Sequence, residues 1–135
     1  MNFLLDTNVL SEGARVRPDP KVLSFLGGLD DSEIYISVIT IAELQLGILK
    51  LAFGNRRNFL ADWIDNIRLR HGASILPITL EISLRWSAMV VHRKRTMPVL
   101  DSLIAATALA HRLRLVTRNA RDFAGLGLDL VNPFE

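Results

Sequence analysis

Short apolar runs alternate with longer helical patterns along this chain. Five runs predict strands, and the first, second and fourth of them are almost wholly apolar: Asn2–Leu5, Ile34–Val38, Ser74–Leu76, Leu113–Thr117 and Leu128–Val131. The segments between them predict helices, the last only a short turn: Pro20–Leu26, Thr40–Phe53, Arg57–Arg70, Leu80–Arg93, Asp101–Arg112 and Asn119–Ala124. This alternation is typical of a parallel sheet covered by helices, whose strands are apolar because both faces are buried.

The alternation continues without an internal repeat, a low-complexity tract or a linker long enough to separate two domains. The sequence therefore predicts one α/β domain over residues 1–135, with a mostly parallel central sheet of about five strands flanked by helices. A chain of 135 residues, of which 50% are hydrophobic, can bury a core of its own. Disordered and fibrous classes are excluded.

The composition restricts the chemistry that the chain can carry. Cysteine is absent, which excludes disulfides, thiolate zinc sites and cysteine nucleophiles, so a bound metal must sit on oxygen or histidine. Arginine outnumbers lysine by 13 to 3, and the formal net charge is +2. Guanidinium groups suit phosphates and carboxylates alike. The bias fits an RNA-facing surface or an acidic protein partner and does not choose between them.

Neither a signal peptide nor a membrane span is indicated. The N-terminus reaches Asp6 before the apolar core of a signal peptide can form. The most apolar stretch, residues 34–53, carries Glu43 near its centre, where a carboxylate would be costly in lipid. We therefore expect a cytoplasmic protein that makes no membrane contact.

Four carboxylates lie at corresponding places in the predicted pattern. Asp6 directly follows the first strand, Glu43 lies one turn into the helix after the second, and Asp122 lies just beyond the fourth. Ligands of an open parallel sheet bind outside the carboxyl ends of its strands, so these three side chains should point into one crevice. Asp101 opens the helix that leads to the fourth strand. It joins the other acids if that helix begins at the same edge of the sheet.

Each of these acids also has a purely structural explanation. Thr40 and Glu43 match a capping box, in which the glutamate reaches back to the Thr40 amide. Asp6 and Asp101 suit helix caps or the first turn of a helix, and Asp122 suits a solvated turn. All four would then have to fall on one rim of the sheet by accident, which favours a functional cluster.

A cluster of four carboxylates needs a cation or captured protons. Two carboxylates about 4 Å apart repel by roughly 4 kcal/mol at an effective dielectric constant near 20. Magnesium takes oxygen ligands, is usually held by one or two carboxylates plus substrate phosphate, and shares its ligand types with manganese. Such an ion orients an attacking water and stabilises the leaving oxygen of a phosphodiester. The four acids therefore favour metal-dependent phosphodiester hydrolysis.

Four ordered segments resemble the successive sequence blocks of PIN domains, and the resemblance spans nearly the whole chain: residues 5–10, 39–47, 101–108 and 116–123. Within that superfamily the chain is most similar to VapC-type toxins, especially to their FitB-like branch. The resemblance implies a ribonuclease that depends on Mg²⁺ or Mn²⁺, forms a homodimer and is inhibited by a cognate antitoxin protein. It also implies that operator DNA is bound only indirectly, through the antitoxin.

The same resemblance assigns roles to individual residues. The acidic quartet of the family is matched by Asp6, Glu43, Asp101 and Asp122. Asp6 and Asp101 would be direct metal ligands, while Glu43 and Asp122 would act through water or polarise the nucleophile. Four polar residues would orient the acids or hydrogen-bond within the site: Thr7, Asn8, Thr117 and Asn119. Two arginines beside the last acid would bind substrate, or else pair with that acid: Arg118 and Arg121.

Other interpretations stay open. The basic run from His92 to Arg95 either borders the crevice and binds phosphate or forms a solvated loop. The apolar segments 44–53 and 59–67 suit an antitoxin groove, a dimer face or an ordinary core. A non-catalytic alternative is a binding module whose acidic pocket only grips an antitoxin arginine. That complex would regulate transcription by binding operator DNA through the partner.

Overall fold

The sheet has five parallel strands, as the alternation predicts. In a computed structural model, which describes residues 1–93 and 96–135, the strands are β1 Phe3–Leu5, β2 Ile34–Ser37, β3 Ile75–Leu76, β4 Arg114–Val116 and β5 Leu130–Val131. Their order in the sheet is β3-β2-β1-β4-β5, and every neighbouring pair is parallel. All five predicted strands are confirmed, each one or two residues shorter than expected.

Strand β1 lies at the centre of the sheet and is buried on both faces. Leu4 is aligned with Tyr35 of β2 and with Leu115 of β4. Successive side chains of a strand point to opposite faces, and Phe3 and Leu5 accordingly pack into one core while Leu4 packs into the other. The uninterrupted apolar run of this strand therefore reflects helices packed on both sides of it.

Helices cover both faces of the sheet. Six α-helices lie within the described residues: α1 Thr7–Leu10, α2 Pro20–Gly27, α3 Val38–Leu49, α4 Asn55–His71, α5 Leu80–His92 and α6 Val99–His111. Helices α5 and α6 pack against each other, and Trp86 Nε1 donates to Ser102 Oγ across them at 2.8 Å. In the described part of the chain, no helix is both long enough and apolar enough to cross a membrane.

Helix α3 differs from the prediction at both ends. Ser37 Oγ accepts a hydrogen bond from the Ile39 N–H at 3.1 Å, so Ser37 is the N-cap and the helix begins at Val38. Thr40 therefore lies inside the helix, and the capping box between Thr40 and Glu43 is wrong. The helix also ends at Leu49 rather than at Phe53.

A short helix that the sequence pattern does not predict directly follows β1. Asp6 has extended backbone geometry, and its side chain caps the first turn of α1. A 3₁₀ turn, Ser11–Ala14, continues from it. Because Asp6 both ends the strand and begins the helix, its carboxylate is fixed at the carboxyl edge of the sheet.

Candidate active site

The candidate site lies at the carboxyl ends of the three central strands. Strand β1 runs into Asp6, β2 into the helix that carries Glu43, and β4 into Thr117. Strands β2 and β3 add to one side of β1, whereas β4 and β5 add to the other. Open α/β sheets bind ligands where the strand order reverses in this way, and that point here is beside Asp6.

Asp6 is the most buried acid of the cluster, with 4% of its surface exposed. Its Oδ1 accepts from the Thr7 backbone N–H at 2.8 Å, and its Oδ2 accepts from Thr117 Oγ1 at 2.8 Å. Burial raises the pKa of Asp6, the hydrogen bonds from Thr117 and Thr7 act against this rise, and the Glu43 charge adds to it. The net shift is upward, so the structure holds this carboxylate firmly at an electrostatic cost.

Glu43 is joined to the Asp6 region by a threonine. Thr7 Oγ1 donates to Glu43 Oε1 at 2.7 Å and lies 3.3 Å from Thr40 Oγ1. Thr40 is fully buried. The hydroxyl expected to serve as a helix cap is therefore part of a polar contact between α1 and α3, and Thr7 connects the first acid to the second.

Asp101 lies in the first turn of α6 and interacts electrostatically with all three other acids. Burial raises the pKa of its carboxyl to about 6, and the negative charges of Asp6, Glu43 and Asp122 add to this rise. Asp122 is exposed and lies in the 3₁₀ turn Ala120–Phe123. The structure thus brings the four predicted acids into one negative field, with Asp6 buried and Asp122 at the rim.

The other predicted site residues tie α1 to the loop after β4. Asn8 Oδ1 accepts from the Arg118 backbone N–H at 3.1 Å, while Asn8 Nδ2 makes a long contact, 3.4 Å, with Asp6 Oδ2. Asn119 contributes its backbone N–H, which donates to Thr117 Oγ1 at 3.1 Å. The Thr117 hydroxyl therefore accepts from Asn119 and donates to Asp6, which orients its proton toward the carboxylate.

The two arginines near Asp122 differ in their surroundings. The Arg118 guanidinium lies 4.9 Å from the centre of the Phe134 ring, a cation–π contact, and Arg121 lies exposed in the same turn as Asp122. In the predicted basic run, His92 ends α5 and Arg93 caps it. Lys94 and Arg95 of that run lie outside the described residues.

Comparison with known protein families places the chain in a wider group. The family model described as "PIN domain" matches residues 3–127, which is most of the chain and includes all four acids. This chain belongs to the PIN domain family. The resemblance carried by the four sequence blocks is thereby confirmed.

Individual relatives of this PIN domain include named toxins and ribonucleases. A VapC ribonuclease from Sinorhizobium fredii is 35% identical over 137 residues, covering 98% of each chain. Toxin FitB from Neisseria gonorrhoeae is 33% identical over 136 residues, again covering 98% of each. The crystal structure of FitAcB from the same organism superposes with a TM-score of 0.93 at 32% identity, covering 98% of this chain and 99% of that one. The fold of this chain, a single α/β domain with a parallel sheet, therefore matches the fold of that structure.

The donor set of this PIN domain suits a hard cation with several water ligands. Among residues 1–93 and 96–135, no three acidic or histidine side chains form a ready-made metal cage. Magnesium, however, usually keeps several waters and uses only one or two protein carboxylates. Asp6 and Asp101 can supply these two, because the first is held by fixed donors and the second has a raised pKa that a nearby cation would lower.

Proposed function

We propose that this PIN domain is a metal-dependent endoribonuclease, the toxin of a type II toxin–antitoxin pair, which hydrolyses RNA phosphodiester bonds. The observation that carries the proposal is geometric: Asp6 is held by Thr7 and Thr117 at the carboxyl edge of the sheet, and the Thr7 hydroxyl holds Glu43 beside it. Burial and the charges of Asp6, Glu43 and Asp122 also raise the pKa of Asp101. Perturbed acids at the switch point of an open sheet are typical of a functional site. Relatives named VapC ribonuclease and toxin FitB support the same reaction and role.

Ribonucleases of the PIN family generally depend on a divalent metal, and we propose Mg²⁺ or Mn²⁺ for this chain. Asp6 and Asp101 would hold the ion, and Glu43 and Asp122 would contact it through water or polarise the attacking water. A bound divalent cation supplies Lewis acidity at the phosphoryl oxygens and lowers the pKa of water.

The residues around the acids have separate tasks in this proposal. Thr117 and the Thr7 backbone N–H hold both oxygens of Asp6, so this carboxylate cannot rotate away from the crevice. The Thr7 hydroxyl holds Glu43. Asn8 and Asn119 fix the loop after β4 through the contacts of their amide and backbone groups. Arg118 and Arg121 would bind RNA phosphates beside Asp122.

We further propose that a cognate antitoxin covers the site, that the toxin is a cytoplasmic homodimer built from one domain over residues 1–135, and that operator DNA is bound only through the antitoxin. Neighbouring structures support the partner: FitAcB is one, and FitAB bound to a DNA fragment is another, with a TM-score of 0.92.

The segments 44–53 and 59–67 divide between core and surface. Trp63 and Ile67 pack inward, whereas several large apolar side chains are exposed: Leu46, Leu49, Phe53 and Phe59. We propose that these exposed apolar side chains bind an apolar partner helix.

The test is RNA cleavage by antitoxin-free protein in Mg²⁺, in Mn²⁺ and in EDTA, using a mixed pool of structured and single-stranded RNAs. We expect metal-dependent cuts that Asp101→Asn abolishes. The matched control is Asp65→Asn, since Asp65 is an exposed acid of α4 that pairs with Arg68 at 3.4 Å. No cleavage by folded wild-type protein in either metal would contradict the nuclease and favour the non-catalytic binding module instead.

A further inference from the structure

Two adjoining cavities lie beside the acid cluster. One, of about 290 Å³, is bordered by Asp122 and Met97, and the other, of about 310 Å³, reaches along α5 to Ala88. They share four lining residues, which join them into one feature: His92, Arg93, Gly125 and Leu126. We call the two cavities together the Arg93 pocket. The pocket therefore begins at the rim of the candidate active site.

A cation with an unused donor, Arg93, lies where the two cavities join. Nη1 of Arg93 is buried and has no hydrogen-bond partner in the described part of the chain. Buried polar atoms of native proteins are normally paired with protein, water or a ligand, and an unpaired buried charge is especially unfavourable. Arg93 as a whole is only half-buried and lines both cavities, so its guanidinium can meet an anion that enters the pocket.

Apolar side chains line the pocket together with the polar residues Arg85, His92 and Asp122. Met89, Leu109 and Leu126 line it, and the thioether of methionine makes favourable contacts with aromatic rings. Gly125 adopts a left-handed φ of +83°, and a Cβ atom placed there would meet nothing within 4 Å. The backbone at Gly125 therefore borders the pocket without filling it. The volume matches the lower end of the range for small-ligand pockets, about 300–1,000 Å³.

We propose that the Arg93 pocket is a nucleotide subsite for the RNA substrate, in which the Arg93 guanidinium binds a backbone phosphate and the apolar wall holds a neighbouring base. The inference rests on the proposed nuclease function, because an RNA strand cleaved at the acid cluster must pass Asp122. A planar base beside its phosphate would contact both the apolar side chains and the guanidinium of the pocket. An acidic side chain of a protein partner would contact only the guanidinium. The pocket would thus determine which base flanks the cleaved bond.

The first test removes the guanidinium but keeps an apolar side chain. Arg93→Met should weaken binding of fluorescein-labelled r(U)₁₂, r(A)₁₂ and r(C)₁₂ in EDTA by at least about tenfold, the ratio expected for one charge-assisted hydrogen bond. The slope of log Kobs against log salt should fall by about 0.7, the value for one phosphate contact on a single strand. In cleavage assays KM should change more than kcat. Because the variant loses an unpaired buried donor, its Tm should not fall below that of the wild type. A purely structural role for Arg93 would lower Tm instead.

A second variant tests the apolar wall of the pocket without touching the core. Ala88 is exposed on α5 at the edge of the pocket, so Ala88→Trp should fill the cavity and reduce differences in affinity among the three oligomers. Arg68→Met is the control, since Arg68 is exposed on α4 and pairs with Asp65, and it should leave Kd within about twofold.

The outcomes separate the subsite from the nuclease. If the wild type cleaves RNA but Arg93→Met binds and cleaves it equally well, the subsite is overturned while the proposed function stands. If the wild type fails to cleave, the proposed function is overturned, and an unchanged Kd in EDTA for Arg93→Met overturns the subsite as well. Loss of antitoxin binding with RNA affinity intact would assign the pocket to a protein partner and also overturn the proposal.

Discussion

Replacing Asp101 by Asn should stabilise the metal-free protein at neutral pH while it abolishes cleavage. Folding raises the pKa of Asp101 from an ordinary 3.8 to about 6, because the group is partly buried and faces three negative charges. In the unfolded chain the carboxyl ionises first, so ionisation favours unfolding. The stability of the wild type should therefore fall as pH rises from about 4 to about 6 and should level off above that.

The magnitude follows from the size of the shift. A difference of about two pH units corresponds to roughly 3 kcal/mol, since each unit is worth about 1.36 kcal/mol. Asp101 is only partly buried, and solvent screens its interactions, so we expect about 1–2 kcal/mol. Asparagine has nearly the same shape without the charge, and the gain should appear at pH 7 and vanish at pH 4. The raised pKa of Asp6 adds a pH dependence of the same sign in both proteins.

Urea unfolding in EDTA between pH 4 and pH 8 measures this effect. Asp65→Asn, the exposed control on α4, should change the free energy of unfolding by no more than about 0.5 kcal/mol. Added Mg²⁺ should reverse the order of wild type and Asp101→Asn, because a ligand at 100 times its Kd stabilises the folded state by about 2.7 kcal/mol. A variant less stable than wild type at pH 7 in EDTA, or a gain equal at pH 4 and pH 7, would refute the electrostatic reasoning.

Two further substitutions test single contacts. Thr117→Val removes the hydroxyl that donates to buried Asp6, so it should lower the free energy of unfolding by about 1–3 kcal/mol and reduce cleavage. Thr117→Ser keeps the hydroxyl and should retain most of the stability and most of the activity. Full activity in the valine variant would contradict the positioning role. Arg70→Gln should return the pKa of Asp31 to its ordinary range, because the hydrogen bonds from Arg70 lower it. An NMR titration of the Asp31 carboxyl reads this directly, and any stability lost with the pair should be lost above the ordinary carboxyl pKa and not below it.

The sequence predicted the central strand β1 well because burial on both faces leaves an uninterrupted apolar run, whereas the edge strands β3 and β5 are only half-buried. It extended each strand by a residue or two, since hydrophobicity does not show where a strand leaves the sheet. It also missed α1, because four residues are too few to display a helical period. The only local signal for α1 was Asp6 itself, a favoured N-cap residue.

The placement of the candidate acids was predictable where it depends on strand ends and not where it depends on contacts between distant segments. The position of each acid relative to a strand was enough to expect them near one crevice. The local pattern around Thr40 matched a capping box, but Glu43 instead contacts Thr7, 36 positions away. The Arg93 pocket depends on the turn around Gly125 meeting α5, and no local pattern in either segment indicates that meeting.

The hydrogen bond between Thr117 and Asp6 joins residues 111 positions apart, and this separation has a consequence during synthesis. A nascent chain carries Asp6 and Glu43 on the ribosome well before Thr117 emerges. Strand β4, the neighbour of β1, emerges only just before Thr117, and domains generally fold as units. Translation that stops before Thr117 therefore yields no complete acid cluster. A ribosome that makes the proposed nuclease meets no active site from its own nascent chain until the domain is almost finished.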